Sequence, residues 1–239
     1  PERNNFTDNG SYPAPTAERL FDYEMGYAYA AQNWHVSLNL YYMDYHNQFV
    51  QTGKKSDIGE YLTTNIPLSH RLGAEISADY SPLSWLTIAG NAALSQNKIE
   101  DFTEYAEDWG AAKGFRTIHY DRSTLAFSPA VIANGFITAR WKGLTATWHT
   151  NFVSRQFLDN TQHNDRSLPC FSHSNFSANY AFNQLKFCGL KALSLGLNLN
   201  NVFNRHYAAS GGVYSAYRHA TDLDTDPRYY QIGFVPMAG

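Results

Sequence analysis

Two polar stretches gather most of the side chains able to grip a ligand. Around 101–120 the chain reads DFTEYAEDWGAAKGFRTIHY and supplies Tyr105, Trp109, Phe115, Arg116, His119 and Tyr120 among several acids. Around 213–230 it reads VYSAYRHATDLDTDPRYY and supplies Tyr214, Tyr217, Arg218, His219 and Tyr229. Aromatic faces and guanidinium groups hold flat, anionic molecules by stacking and charge-assisted hydrogen bonds. The same residues serve equally well to pack one loop on another. Within the second stretch, Asp222, Asp224 and Asp226 place oxygen ligands at alternate positions, as part of a calcium loop does. The glycine and closing glutamate of an EF-hand are missing and Pro227 follows, so a solvated acidic tip is the competing reading.

Catalytic spacing is absent. The nine histidines form no H-E-x-x-H or Cys/His ligand pattern, which leaves His206 and His219 without a case for zinc or haem. His149 and Ser154 lie close in sequence, but no third group completes a nucleophile–base arrangement. The expectation is a protein that is not an enzyme and needs no resident cofactor, loop-bound calcium aside.

The candidate loops hang from a periodic framework. From Phe21 the odd positions read Phe21, Tyr23, Met25, Tyr27, Tyr29, and the even ones Asp22, Glu24, Gly26, Ala28, Ala30. A strand repeats every two residues, so each such run has one greasy face and one small or polar face. Eight runs follow this beat, at about 18–31, 34–50, 60–80, 85–99, 122–141, 144–157, 170–182 and 191–203. The last is the cleanest, with Leu193, Leu195, Leu197 and Leu199 against Ser194, Gly196, Asn198 and Asn200. Trp85 falls on the polar parity by one residue, so an irregular strand start is expected there. Links near 31–33, 81–84, 142–143 and 183–190 are brief, whereas those near 51–60, 100–120, 158–169 and 204–235 are long and polar. Aromatics flank the short links: Tyr29 and Trp34, Tyr80 and Trp85, Trp141, Phe182.

Composition narrows the architecture. Charged residues are 16% and aromatics 15%, against a usual charged share of about a quarter. Mean hydropathy is −0.44, and no run of 18 apolar residues exists to make a helical membrane span. A membrane barrel reconciles these facts, because only alternate strand residues meet lipid and the interior stays wet. Short turns on one side and long loops on the other are its signature, and ring side chains favour the interfaces. The fold expected is all-β: a transmembrane, antiparallel, up-and-down β-barrel wall forming one unit over 1–239. A soluble sandwich or adhesin is the bland alternative. The net charge of −3 gives no footprint for nucleic acid. Cys170 and Cys188 fall at opposite ends of one strand, too far apart to bridge, so two free thiols are expected.

Several segments carry a family resemblance. AERLFDYEMGYAY, NLYYMDYHNQFV, YLTTNI, FVSRQFLDNTQHNDRSLPCF, LNLNNVFNRHYAASGG and YYQIGFVPMAG resemble the C-terminal half of TonB-dependent outer-membrane receptors, with Bacteroidetes-type variants looking nearest. The most specific parts are NLNNVFNRHY (Asn198 to Tyr207) and FLDNT (Phe157 to Thr161). The resemblance implies a barrel of 22 strands around a plug, of which these eight runs are a part. The plug and the last strand are then expected outside this sequence. It further implies an integral outer-membrane location with the long loops extracellular, and import of a scarce nutrient chelate (ferric siderophore, haem, cobalamin or similar). The expected partners are the TonB complex acting through the plug, the remaining strands and the bilayer. Inward charges Arg71, Glu75, Asp79 and Arg140 then either touch a plug or pair across strands. A small independent barrel (adhesin, pore or barrel enzyme) is the competing function.

Overall fold

The computed structural model describes residues 14–55, 61–108, 114–182, 192–217 and 228–233. Its strands are β1 (Arg19–Ala31), β2 (Trp34–Lys55), β3 (Tyr61–Leu83), β4 (Leu86–Asp108), β5 (Gly114–Thr124), β6 (Val131–Trp141), β7 (Leu144–Val153), β8 (Gln156–Phe157), β9 (Ser167–Leu168), β10 (Phe171–Phe182), β11 (Leu193–Leu199), β12 (Gly211–Tyr217) and β13 (Arg228–Gly233). A single turn of 3₁₀ helix, Asn164–Arg166, is the one helical element among the described residues. Among the described residues no helix is long and apolar enough to cross a membrane, which has no bearing on crossing by strands.

Eight strands form the wall, in the order β1-β2-β3-β4-β6-β7-β10-β11, each antiparallel to its neighbour. They match the eight periodic runs, so the up-and-down antiparallel wall stands. The sheet is open: among the described residues β1 pairs only with β2, and β11 only with β10. One face is greasy and unpacked. Leu72, Ile76 and Ile137 sit in the middle of the sheet yet are 52%, 41% and 50% exposed. A soluble core would bury such side chains; here they form the lipid-facing surface of a membrane barrel wall.

The other face is polar and cross-linked between strands. His35 Nδ1 lies 3.1 Å from Asp79 Oδ2, and the Ser37 and Ser77 hydroxyls are 2.7 Å apart. Asn134 joins three neighbours: it donates to Asn91 (3.0 Å) and its Oδ1 accepts from Asn151 (3.0 Å), while His149 Nε2 lies 3.0 Å from that oxygen. Arg140 donates to Thr87 Oγ1 at 3.2 Å. Asp79 and Arg140, expected inward, thus meet cross-strand partners within the wall. Gly73 is needed on this face, because the Tyr41 ring lies across it and a Cβ would also fall 2.6 Å from the Leu94 carbonyl. The tightest turn, Lys142-Gly143, has positive φ at both residues (43° and 87°), the geometry that suits a two-residue hairpin.

Several boundaries differ from the periodic reading. The segment 122–141 is two strands, β5 and β6, both paired to β4 at different heights and separated by an irregular stretch at 125–130. The stretch 100–120, expected as a loop, continues β4 to Asp108 and turns back as β5. The 204–235 link likewise contains the β12–β13 hairpin, and β12 adds a parallel contact to the tip of β4 (Ala216↔Glu107, Tyr217↔Asp108). Run six ends at Val153, with β8 following as a separate short strand, and run eight ends at Leu199. The irregular start at Trp85 takes the form of a turn: β4 begins at Leu86, after a register shift between Tyr80 and Leu83. Cys170 is a free, exposed thiol; Cys188 and the 183–190 link lie outside the described residues.

The main departure from simple alternation is a line across four strands. Asn47 (φ 54°), Pro67, Asp101 (φ 60°) and Asp121 sit opposite one another on β2, β3, β4 and β5. On β4 the buried positions are Asn97 and Ile99 below the line and Phe102, Glu104, Ala106 and Asp108 above it, so the beat changes from odd to even. On β3 it changes between Ser69 and Ile66, and on β2 Gln48 and Val50 continue the buried face. Asn and Asp tolerate left-handed backbone, and Pro67 has no N–H to give to a ladder. The inner face therefore stays continuous while the pleat slips by one residue. Val50, Ile66, Ile99, Phe102 and Leu125 form a small apolar core around this line.

The assigned outer face predicts that Leu197→Arg, near mid-membrane, costs roughly 2–4 kcal/mol. Asn198→Arg on the polar face should cost far less. Equilibrium folding into lipid vesicles measures both; equal costs would show the faces to be misassigned.

Candidate functional site

Above the line the sheet no longer follows the wall, and the two ligand-type stretches meet there. β4 and β5 rise as a hairpin, and β12 returns to pair with the free edge of β4 at its tip. Arg116 Nε donates to Asp108 Oδ2 at 2.7 Å, and its guanidinium lies 3.9 Å from the centre of the Tyr217 ring. Two of the candidate residues therefore hold each other, one from each stretch. Tyr217 is buried. Tyr105 is half-buried on the opposite face of the β4 tip. His119 is exposed, with Nδ1 3.4 Å from Asp101 and Nε2 3.3 Å from Asp121. Tyr214 pairs with Tyr230 in the β12–β13 ladder. Trp109, Arg218, His219 and the aspartates Asp222, Asp224 and Asp226 lie outside the described residues. Among the described residues no group of three or more His, Cys, Asp or Glu is placed to hold a metal.

A second cluster was not singled out by residue type. Arg166, 1% exposed, directs Nη1 at Glu104 Oε1 (3.2 Å), Asp159 Oδ2 (3.1 Å) and Thr161 Oγ1 (2.9 Å). Tyr120 donates its hydroxyl to Glu104 Oε2 at 2.9 Å. Asp159 also accepts from the Thr161 amide and hydroxyl, at 3.0 and 2.6 Å. Neighbouring backbone completes the scaffold: Asn160 Oδ1 accepts from the Ala126 amide (2.8 Å), and the Phe157 carbonyl from the Phe127 amide (2.9 Å). Leu158 packs with Leu168 and Val213. FLDNT thus fastens the 154–170 segment to the 125–130 stretch and to β12 and orients Arg166, while Arg166 reaches Glu104 on β4 and Gln162 accepts from Thr124 on β5. The signal available in sequence was that motif and the Asn164-Asp165-Arg166 run just after it.

Burial, and then the charge of Glu104 and the hydrogen bond to it, hold the Tyr120 phenol well above its ordinary range; Arg166 opposes them. A third group of rings stacks nearby: Tyr207 lies 4.3 Å from Phe171 and 5.3 Å from His173, nearly parallel to both. The turn that delivers Tyr207 is built by Asn201 and Asn204, both at positive φ, and the Asn201 side chain bonds the Arg205 amide and carbonyl. That geometry accounts for the NLNNVFNRHY segment. His149 and Ser154 do not form a reactive pair, for His149 stacks on Phe136 at 4.4 Å and Ser154 Oγ accepts from the Val131 amide. The contacts at this end of the sheet brace its segments against one another.

A lipid-faced, polar-lined, antiparallel β-wall topped by interlocked long segments defines part of a membrane β-barrel. A sequence profile described as "TonB dependent receptor-like, beta-barrel" matches residues 2–202, and the chain belongs to that family. The structure is similar to the copper transporter OprC (TM-score 0.60, 14% identity, 91% of this chain and 30% of that one). It is similar also to the siderophore receptor PiuA from Acinetobacter baumannii (0.57, 13%, 91% and 27%) and to the ferric yersiniabactin uptake receptor FyuA from Yersinia pestis (0.57, 14%, 91% and 30%). The chain therefore spans less than a third of the length of these structures. No curated protein matches the sequence. The narrower resemblance to Bacteroidetes-type variants gains no support from these neighbours.

Two outcomes follow from the Arg166 cluster. Arg166→Met leaves Glu104 and Asp159 buried without their cation and should cost about 3–5 kcal/mol locally. Faster proteolysis within 158–169 would report it, and adding Asp159→Asn should recover part of the loss. Tyr120, whose folded pKa lies above an unfolded value of about 10, binds its proton more tightly when folded. Its contribution is thus complete below about pH 10 and fades as pH rises beyond that. The difference in phenolate absorbance between the parent and Tyr120→Phe should show no ionisation at the pH where exposed tyrosines ionise.

Proposed function

We propose that this chain is part of the barrel wall of a TonB-dependent outer-membrane receptor that imports a scarce nutrient chelate. The single observation that carries the reading is the family match, laid over a wall that is apolar outside and polar within. The plug and the remaining strands belong to the whole receptor. The exposed ladder edges of β1 and β11 support this, since unpaired strand edges are not tolerated in hydrocarbon. The chelate is a ferric siderophore, haem, cobalamin or a similar complex. TonB supplies energy from the inner membrane by acting on the plug, and the long loops face the outside of the cell.

In this reading the wall does passive work. The inward Asn, Ser and Thr ladder solvates the lumen or docks the plug. The loop end presents the recognition surface, with the Arg116–Tyr217 contact holding two loops in register. Tyr105 and His119, together with Trp109, Tyr214, Arg218 and His219 from the same two stretches of sequence, are the residues we assign to direct contact with the chelate.

The test is uptake by a strain lacking the intact gene, complemented with the full-length receptor and challenged with ferric catecholates, haem, cobalamin and a copper chelate. Growth or label uptake should depend on the receptor for one of these and require a functional TonB. Replacing Arg116 and Tyr217 together by Ala should raise the chelate concentration needed for half-maximal uptake by about tenfold or more, the scale of losing one hydrogen-bonded charge contact. Receptor-independent uptake of every compound would refute the importer reading.

A further inference from the structure

The outward face of the wall changes character abruptly at one height. From Tyr23 on β1, Tyr42 on β2, Leu72 on β3 and Gln96 on β4 down to the short turns, its strand residues carry no charge. The next two rows up are different. One reads Phe21, Asp44, His70, Lys98, Thr124 across β1 to β5; the one above reads Arg19, His46, Leu68, Glu100, Arg122. Strand register thus aligns three cations and two imidazoles in adjacent rows.

The height is the one a headgroup layer requires. Ten residue steps separate Phe21 from Ala31, Asp44 from Trp34 and His70 from Tyr80. At about 3.3 Å per step and a tilt of about 40–45°, that is about 24 Å, close to the roughly 25 Å apolar band of such barrels. The cations therefore stand just outside hydrocarbon, where phosphate groups lie.

The acids in the rows are partly engaged by their neighbours. Glu100 Oε1 is 3.3 Å from Arg122 Nε, and Asp44 Oδ2 is 3.4 Å from His46 Nε2. Arg19 has no ion-pair partner among the described residues and is exposed. Lys98 donates to two neutral oxygens, Thr124 Oγ1 at 2.9 Å and Gln162 Oε1 at 3.1 Å. Beside Arg19 opens a groove of about 480 Å³ lined by Thr16, Phe21, His46 and Pro67, in which a ring stands next to a cation. Phe21 and His46 meet edge-on at 6.0 Å, and the Tyr42 and His70 rings lie 6.1 Å apart, tilted by 30°. Ring bodies toward the acyl chains and cations above them are the pairing an anionic lipid needs.

We propose that these two rows are a binding surface for the phosphate-bearing headgroups of anionic lipids in the leaflet on the long-loop side. Arg19, Lys98 and Arg122 are the principal contacts, and Phe21 and Tyr42 lie against the upper acyl chain. The proposal rests on the membrane-barrel reading of the wall and is independent of what is transported.

The experiment uses the full-length receptor in neutral detergent, titrated with phosphatidylglycerol, with phosphatidylcholine as the uncharged-headgroup control, and read by native mass spectrometry. A variant carrying Arg19→Ser, Lys98→Ser and Arg122→Ser is compared with one carrying Arg19→Lys, Lys98→Arg and Arg122→Lys. Selective retention of phosphatidylglycerol should fall about fivefold for each cation neutralised and should weaken with added salt. The charge-preserving variant should retain it, which separates loss of charge from loss of fold. Equal retention by the neutral variant overturns the proposal, as does full displacement by inorganic phosphate, which would identify a free-anion site. Chelate uptake is scored in parallel. Loss of lipid selectivity with uptake intact sinks this inference alone, and selective lipid binding without any uptake sinks the importer reading alone.

Discussion

A backbone amide in hydrocarbon has no water to fall back on. Each N–H and C=O must find its partner within the protein, and an extended chain meets that demand only through the strand beside it. The rest of this structure depends on that constraint. It explains why neighbouring wall strands pair antiparallel whatever the length of the link between them, and why the β1 and β11 edges, unpaired among the described residues, call for partners. It also explains how side chains like Ile76 and Ile137 stay exposed in the middle of a sheet without penalty. The inner face answers a different solvent. There, polar side chains bond across strands, as in the Asn91–Asn134–Asn151 series, and so stiffen the wall without needing a dry core.

Once the wall clears the bilayer the constraint lapses and loop chemistry takes over. The change is made at the line of Asn47, Pro67, Asp101 and Asp121, where the pleat slips by one residue in four strands at once. Beyond it, a small apolar core and a buried cluster of charge hold the segments in place. Arg166 is almost wholly shielded from solvent and faces Glu104 and Asp159 from two different segments. Such an arrangement contributes little net stability over apolar packing, but it tolerates few alternatives. That trait suits a segment that ties β4, β5 and β12 together. The same logic holds for Arg116, placed between Asp108 and the Tyr217 ring.

Much of this was legible in the residues. The two-residue beat identified all eight wall strands, because lipid on one side and water on the other force alternation at every position. The aromatic flanks and the alternation of short and long links gave the wall its polarity for the same reason. The beat failed at 122–141 and 100–120, where strands leave the membrane. Neither face of the hairpin meets lipid there, so nothing in composition separates loop from strand. The FLDNT and NLNNVFNRHY segments stood out as specific, but their specificity turned out to be geometric: an Asp–Thr turn anchoring an arginine, and two asparagines at positive φ.

For the candidate site, residue type alone proposed Arg116 and Tyr217 separately, each as a group either reaching for a ligand or packing one loop on another. It could not place them against each other, because they lie about a hundred positions apart and meet only through a parallel contact at the tip of β4. Nor could it mark Arg166 as buried, since an arginine in a polar stretch reads as solvated. Periodicity is local, written by the solvent each strand face meets, and so the sequence by itself determined the two faces of the wall strands and the membrane reading. Which loop braces which, and which cations line up at the edge of the hydrocarbon, are matters of register between distant strands. Hydrogen-bonded pairing in three dimensions decides register, and no single segment carries that information alone.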